Sequence, residues 1–271
     1  MRLNKASVTG FFCCFGTVLF GIATNGGIKT ILNFLHVPSL IVTMGGTLFA
    51  VMITSDSLDD YIIGVKGLPY AFTRSMANAS EIITSIYDLS EIARKEGLLA
   101  LEEKAVQLSD PFFQKGIRLI VDGSDPELTK DILESEMNHK YENAKKQIQF
   151  WQDSGSYAPA WGMVGTLLGL INMMKSMGNN PSAIGAGMSL ALITTLYGSI
   201  IANWICIPVA QRLSKKSNNE YLVKEIIIEG VLSIQAGDNP RIIREKIKAL
   251  TEDDGDSESL INIGLEIPRE H

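Results

Sequence analysis

Charged residues are almost absent from two long stretches of this 271-residue chain. The chain has 24 basic and 30 acidic residues, yet residues 6–55 contain one charge, Lys29, and residues 157–210 contain one, Lys175. Neither stretch contains an acid. A soluble globular domain interleaves charged and apolar residues at the helix or strand period. The two charge-poor stretches therefore argue against a soluble enzyme.

Other scarcities exclude further classes of protein. The three cysteines lie inside the charge-poor stretches, where a thiol behaves as a small hydrophobe, so neither a disulfide framework nor a Cys-x-x-Cys metal pair is expected. The three histidines have no metal-ligand spacing, and no nucleophile–base set or phosphate loop is present. A net charge of −6 argues against nucleic-acid binding. We expect no enzymatic activity, no cofactor and no permanent metal.

Each charge-poor stretch is long enough for two membrane helices, since about 20 apolar residues cross a bilayer. A turn signal divides each stretch, at Asn25-Gly26-Gly27 in the first and at residues 178–181 in the second. The sequence therefore predicts four transmembrane helices, at about 6–24, 38–54, 158–177 and 183–210.

Basic residues flank the outer ends of both hairpins, whereas the short loops within them carry only Lys29 and Lys175. Because cytoplasmic flanks are enriched in Lys and Arg, both termini and the long central loop are predicted to be cytoplasmic. A cleaved signal peptide is the alternative for the first span, since Arg2 and Lys5 precede it. The apolar run is longer than a usual signal sequence, however, and has no Ala-x-Ala site.

The central loop and the C-terminal region have helical periodicity. Helix boundaries are predicted at Gly97, at 109–111 and at 122–126, and two further helices at 211–235 and 239–250. The predicted fold is an all-α integral membrane protein whose cytoplasmic domain, mostly helical, is formed by the central loop and the tail. Its segments are a membrane hairpin at 1–55, a cytoplasmic loop at 56–156, a second hairpin at 157–210, and cytoplasmic helices with an acidic tail at 211–271.

Hydroxyls are the candidate ion ligands of the spans. Ion-conducting proteins keep an ionisable group at membrane depth, so this chain either conducts nothing or uses the carboxylate of another subunit. Thr166, Thr194 and Thr195 offer oxygens that suit a hard cation such as Na⁺. Helix packing is the alternative explanation, because Gly165 and Gly169 form a Gly-x-x-x-Gly face and membrane threonines often bond the carbonyl four residues earlier.

Two prolines border the second hairpin. Pro159 lies at the entrance of the third predicted span and Pro208 near the end of the fourth. Both remove backbone donors, so they either mark helix boundaries or act as hinges that couple ion occupancy to cytoplasmic motion.

A cluster of charges of both signs surrounds an apolar centre at residues 94–104. A solvated helical hairpin explains it, since exposed ion pairs contribute only ~0–1 kcal/mol. A docking surface for a partner with alternating charges would have the same pattern.

Several segments together resemble one known family. They are PSLIVTMGGT at 38–47, the charged stretch at 93–103, YAPAWGMVGT and its continuation at 157–169, and the stretch ending in TTLYG at 192–198. With the order of two spans, a long charged loop, two spans and a charged tail, nearly the whole chain resembles the A subunit of the bacterial flagellar motor stator. This is the MotA/PomA group of the MotA/TolQ/ExbB channel family.

The resemblance implies a partner and an activity. A B-type stator subunit with one transmembrane helix would supply the essential Asp, and five A subunits would surround two B subunits in the bacterial inner membrane. Flow of Na⁺ or H⁺ past that Asp would drive torque on the rotor switch protein of the flagellar C-ring. The ion is transported, so no cofactor is implied.

The resemblance also assigns rotor contacts and ion-pathway residues. Arg94 and Glu102 match the family's loop charges that engage the rotor. Their neighbours Lys95, Glu96 and Glu103 are expected to share that role.

Within the membrane, Pro159 and Pro208 match the two prolines linked to torque generation. Thr166 and one of Thr194 and Thr195 match hydroxyls of sodium-driven members, so a transient Na⁺ is expected near them.

Two other functions fit less well. An ExbB/TolQ-type energiser of outer-membrane transport is the main alternative, but those relatives typically have three spans with the first one separate. A membrane enzyme is the third hypothesis and lacks any candidate active site.

Overall fold

A computed structural model describes residues 5–26, 31, 34–55, 57–73, 79–176 and 181–251. The regular structure of these described residues is helical, which confirms the predicted all-α class. The α-helices are α1 Lys5–Gly26, α2 Val37–Leu40, α3 Gly46–Thr54, α4 Leu58–Ala71, α5 Ala79–Glu96, α6 Leu101–Ala105, α7 Pro111–Val121, α8 Pro126–Ser176, α9 Pro181–Ile200, α10 Ile207–Ala236 and α11 Pro240–Thr251. Two π-helical segments, Ile41–Gly45 and Ile201–Cys206, join α2 to α3 and α9 to α10.

The chain divides into two compact units. The first comprises Met1–Arg74 and Ala144–Lys215, and the second comprises Ser75–Asn143 and Lys216–His271. The four-segment division predicted from the sequence stays a prediction.

Three helical stretches among the described residues are long and apolar enough to cross a membrane: Lys5–Thr24, Val37–Thr54 and Ile184–Ala236. They contain most of the first, second and fourth predicted spans. The third predicted span, 158–177, lies in α8 and is not among them, because glycines, a proline and Asn172 dilute its apolar residues. The count of four spans stays a prediction.

In the first unit, α4 packs against α8 and α10. A Cβ on Gly64 would lie 2.4 Å from the Phe150 ring, so the α4 backbone lies directly on that ring. Trp151 donates its indole N–H to the Gly64 carbonyl at 3.0 Å, and Asp60 pairs with Lys146 at 2.9 Å. These contacts surround a core that includes Phe150, Trp151 and Leu213.

The second unit has its own hydrophobic core, built from α5, α6, α7, the first part of α8, the last part of α10, and α11. Its fully buried side chains include Ile86, Leu101, Phe113, Leu133 and Ile226. This core explains the amphipathic periodicity of the helices in the second unit, because it buries one face of each helix.

The predicted helix boundaries of the central segment agree with the structure. Gly97 has a φ of 88° and ends α5, a conformation that favours glycine. Asp110 caps α7 by accepting hydrogen bonds from the Phe112 and Phe113 amides at 2.7 and 3.2 Å. Pro126 is the first residue of α8.

The interpretation of the two prolines as helix boundaries is wrong. Helix α8 continues through Pro159, and the helix that begins as α9 continues through the π-helical segment and Pro208. The prediction of a separate helix at 211–235 is wrong for the same reason, since α10 is continuous with α9 through the π-helical segment. A π-helical segment changes the backbone hydrogen-bond register just before Pro208, where a proline would otherwise disrupt an α-helix.

Some predicted features lie outside the described residues. These are the basic flank at Arg2 and Arg74, the turn around Gly27 and Lys29, the turn at 178–180, and the acidic tail after Thr251.

Candidate functional site

Thr166 on α8 and Thr195 on α9 bring their hydroxyls together, with Oγ1 atoms 2.5 Å apart. Thr166 Oγ1 also lies 3.0 Å from the Gly162 carbonyl and 3.1 Å from the Ala191 carbonyl. Thr195 donates to the same Ala191 carbonyl at 3.3 Å. The result is a cluster of four neutral oxygens, and the Thr195 side of it is exposed.

Close packing of α8 against α9 produces this cluster. A Cβ on Gly169 would lie 2.5 Å from the Gly187 carbonyl oxygen, and a Cβ on Gly198 would lie 2.6 Å from the Ala158 carbonyl oxygen. The two backbones are therefore in contact at both positions, as is common where small residues line membrane helix pairs. The packing face predicted from the glycine spacing is present.

Thr194 has a different environment from Thr195. Its side chain is buried, and its hydroxyl lies 2.8 Å from the Leu190 carbonyl and 3.0 Å from the Ala191 carbonyl. Its methyl group faces Gly165, where an added Cβ would lie 2.5 Å from Thr194 Cγ2. Of the two adjacent threonines, Thr195 is the one whose hydroxyl contacts that of Thr166, whereas the Thr194 side chain fills the contact between the helices.

A row of buried hydroxyls on the second predicted span contacts α9, and we did not single it out from the sequence. Ser39, Thr43 and Thr47 are four residues apart and buried. Thr43 donates to the Thr194 carbonyl at 3.4 Å and Ser39 to the Leu190 carbonyl at 3.5 Å. The signal available in the sequence was the four-residue spacing, which places all three on one helix face.

The oxygen cluster has the chemistry of a partial cation site. Hydroxyl and carbonyl oxygens are suitable ligands for hard cations such as Na⁺. Charge is lacking, because the predicted spans contain no acid, and no cluster of three metal-binding side chains occurs among the described residues. The cluster by itself therefore offers a cation neutral oxygen ligands only.

The five predicted rotor-contact charges surround the turn at Gly97. The side chains on both sides of the turn are exposed: Arg94, Lys95, Glu96, Glu102 and Glu103. Leu101 between them is fully buried and anchors the turn to the core. Lys95 pairs with Glu91 at 3.2 Å, but both side chains are more than half exposed, so this pair contributes little to stability.

Pro159 and Pro208 have different surroundings: the first packs against a neighbouring helix and the second lines a cavity. Pro159 packs against Gly198, where an added Cβ would lie 3.1 Å from the proline Cα. Pro208 follows the π-helical segment and lines a cavity of about 310 Å³ together with Trp204 and Arg212.

Comparison with known proteins places this arrangement in a family. A sequence model of the MotA/TolQ/ExbB proton channel family matches residues 104–226. Motility protein A of Borreliella burgdorferi is 40% identical over 250 residues, which covers 90% of this chain and 93% of that protein. The chain belongs to the MotA/TolQ/ExbB proton channel family.

Other members of the family agree over most of the chain. Chemotaxis protein PomA of Vibrio alginolyticus is 34% identical over 246 residues, covering 91% of this chain and 94% of that protein. The solved MotAB structure from C. jejuni superposes with a TM-score of 0.81 at 26% identity, covering 93% of this chain and 98% of that one. The flagellar MotAB stator complex of Bacillus subtilis superposes with a TM-score of 0.78 at 26% identity, covering 94% of this chain and 98% of that one.

These matches confirm the family and the function predicted from the sequence. The chain is a membrane protein and a stator subunit of the flagellar motor, and its family consists of ion-channel subunits rather than enzymes. The alternative of an ExbB/TolQ-type energiser is not favoured, because the relatives named here are motility proteins.

Proposed function

We propose that this chain joins a B-type stator subunit in the bacterial inner membrane, and that the complex uses inward flow of Na⁺ or H⁺ to drive torque on the rotor switch protein. The observation that carries the proposal is the Thr166–Thr195 oxygen cluster, which has cation ligands and no charge of its own. The single transmembrane helix of the B subunit would supply the essential Asp. The similarity to solved complexes titled MotAB supports such a partner and an oligomer, for which we propose five A subunits around two B subunits.

The energy available per ion fits a stepwise motor. One charge that moves through 100 mV releases ~2.3 kcal/mol, which is enough for a modest conformational step and not for global unfolding. Pro159 and Pro208 are the proposed coupling residues, since both interrupt backbone hydrogen bonding inside continuous helices. Pro208→Ala is expected to leave ion flux in place while it lowers swimming speed, and a variant with wild-type speed would count against coupling at this position.

The proposed topology has four spans, with both termini and residues 56–156 in the cytoplasm. Support comes from the basic flanks and from the three apolar helical stretches. Reporter fusions at residue 30 and at several positions within 60–150 test this directly. An external signal at residue 30 and internal signals in the loop are expected; internal signals at both would contradict the first hairpin.

Sodium is the ion that the oxygen cluster favours. Partner-dependent ²²Na⁺ uptake into vesicles that contain the A–B complex should fall for Thr195→Ala and be preserved for Thr195→Ser, which keeps the hydroxyl. Loss of one ligand worth roughly 1.4 kcal/mol raises the Na⁺ concentration for half-maximal flux about tenfold.

Ser199→Ala is the matched control for this measurement. Ser199 is exposed on α9 one turn after Thr195 and does not contact the oxygen cluster. Uptake that responds equally to Thr195→Ala and Ser199→Ala would remove Thr195 from the pathway. Proton flux without any Na⁺ dependence would favour H⁺ as the coupling ion.

The charged turn around Gly97, residues 94–103, is the proposed rotor-facing surface. Arg94→Glu and Glu102→Lys should each slow swimming without lowering the amount of complex in the membrane, because both side chains are exposed. Asp131→Lys is a control with an equally exposed charge on α8. Full motility after reversal of both Arg94 and Glu102 would contradict the assignment.

A further inference from the structure

A cavity of about 310 Å³ lies within the first unit, between α1, the end of α4, the π-helical segment Ile201–Cys206 and the start of α10. Gly10 and Phe11 of α1 form one wall, Phe72 another, and Trp204, Pro208 and Arg212 a third. Neither the oxygen cluster nor the charged turn contributes a residue to it. Its volume is within the range of cavities that hold small molecules.

Aromatic rings make much of the wall apolar. Phe11 stacks on Trp204 with ring centroids 4.7 Å apart, and it meets Phe72 edge to face at 5.6 Å. The indole N–H of Trp204 donates to the Phe11 carbonyl at 3.1 Å, so its polar atom is already satisfied. These rings therefore offer carbon surface to an occupant of the cavity.

Arg212 is the one charged residue among the described residues that line the cavity. Its Nε atom is buried and has no hydrogen-bond partner within the described ranges. A buried donor left without a partner is unfavourable, and more so when the group is charged. A guanidinium group is well shaped to bind a phosphate through two parallel hydrogen bonds.

The position of Arg212 in the sequence adds a second argument. It is the first charge after the charge-poor stretch 157–210, one helical turn beyond Pro208. The cavity therefore has an apolar part beside a predicted span and a cationic part where that span ends. Basic pockets between membrane helices on the cytoplasmic side are known to bind anionic lipid headgroups.

We infer that this cavity binds an anionic phospholipid of the cytoplasmic leaflet, with the phosphate on Arg212 and an acyl chain against Phe11 and Trp204. The inference rests on the proposed orientation, which places this end of α10 at the cytoplasmic surface. The bound lipid contacts Pro208 and so lies against one of the proposed coupling residues.

Native mass spectrometry of the delipidated A–B complex tests the inference with three probes. Phosphatidylglycerol should bind, phosphatidylcholine with the same acyl chains should bind about fivefold more weakly, and glycerol 3-phosphate should not bind measurably. Equal binding of the two lipids would overturn the preference for an anionic lipid, and with it the inference. Measurable binding of glycerol 3-phosphate would overturn the role of the acyl chain. No lipid binding would mean that another subunit fills the cavity, which also overturns the inference.

Two variants locate the site, and each has a matched control. Arg212→Gln should weaken phosphatidylglycerol binding about tenfold, as expected for loss of a charge-assisted hydrogen bond, whereas Lys215→Gln removes a nearby charge that does not line the cavity and should have no effect. Gly10→Leu should fill the cavity, because a Cβ on Gly10 has open space around it.

Gly21→Leu is the control for the filling variant, since Gly21 on the same helix also has open space and does not line the cavity. Phosphatidylglycerol binding unchanged in both Arg212→Gln and Gly10→Leu would overturn the inference. Since lipid binding is measured without ion flux or motility, this result is independent of whether the proposed function is correct.

Discussion

Replacement of Gly169 by alanine is expected to force α8 and α9 apart. The added Cβ would lie 2.5 Å from the Gly187 carbonyl oxygen and 2.7 Å from the Ala191 amide nitrogen, whereas ordinary contact begins at 3.4 Å. Because both neighbours are backbone atoms, no side-chain rotation relieves the overlap. The helices must separate locally by about 0.9 Å, which is the difference between 3.4 and 2.5 Å.

Two opposing effects set the change in stability caused by Gly169→Ala. Alanine has a higher helix propensity than glycine by about 0.8–1 kcal/mol. Overpacking of a close contact costs about 1–3 kcal/mol, and here the displaced elements are two whole helices. We therefore expect net destabilisation of about 2 kcal/mol, or a fall in Tm of roughly 4–8 °C for a chain of this size. The same displacement would separate the Thr166 and Thr195 hydroxyls and lower ion flux.

Thermal unfolding of the purified complex, followed by circular dichroism at 222 nm, measures this effect. Gly185→Ala is the control, since Gly185 lies on α9 two residues before Gly187 and an added Cβ meets nothing within 4 Å. Its Tm should equal or slightly exceed that of the wild type. A Gly169→Ala variant that melts at or above the wild-type temperature would refute the predicted overlap between α8 and α9. Equal losses of stability in Gly169→Ala and Gly185→Ala would refute it as well.

Three further predictions concern the second unit, and unfolding of the full chain measures each of them. Hydrogen bonds from Lys115 and Lys140 lower the pKa of Glu136 to about 2, so its contribution to stability is complete above pH ~4.5 and is lost as the pH falls towards 2. Glu136→Gln should lower the free energy of unfolding by about 1 kcal/mol above pH ~4.5 and should weaken its pH dependence between pH 2 and 4.5. The effect is small because both lysines are about half exposed. An unchanged pH dependence of unfolding would contradict the pairing. Asp110→Ala should cost about 1 kcal/mol through loss of the α7 cap, and Asp110→Asn should restore most of it. Gly97→Ala should destabilise by about 1 kcal/mol or more, since Gly97 has a positive φ, and a neutral result would show that the turn rearranges.

Local chemistry made the helix boundaries of the central segment predictable. A capping aspartate before a proline, as at Asp110, and a glycine after a periodic run, as at Gly97, act within a few residues and need no tertiary contact. The all-α class followed from the same local patterns.

Long-range contacts decided the features that the sequence left open or led us to misjudge. Pro159 looked like a boundary, but α8 continues through it, and Pro159 packs closely against Gly198 on α9. Thr194 and Thr195 are adjacent and chemically identical, yet about 100° of helix rotation separates them, so only the position of α8 shows which one meets Thr166. The hydropathy of the third predicted span is low because its small residues serve helix contacts.

We propose that ions crossing at the Thr166–Thr195 oxygen cluster power the flagellar motor. The most direct test measures swimming speed in cells that lack their own stator and carry this chain with its B subunit, as external Na⁺ is replaced by K⁺ at fixed pH. We predict that speed falls as Na⁺ is removed, and that Thr195→Ala cells need more Na⁺ than wild-type or Thr195→Ser cells to reach half-maximal speed. Wild-type cells that swim at an unchanged speed without Na⁺, or Thr195→Ala cells that keep the wild-type Na⁺ dependence, would contradict this account of the site.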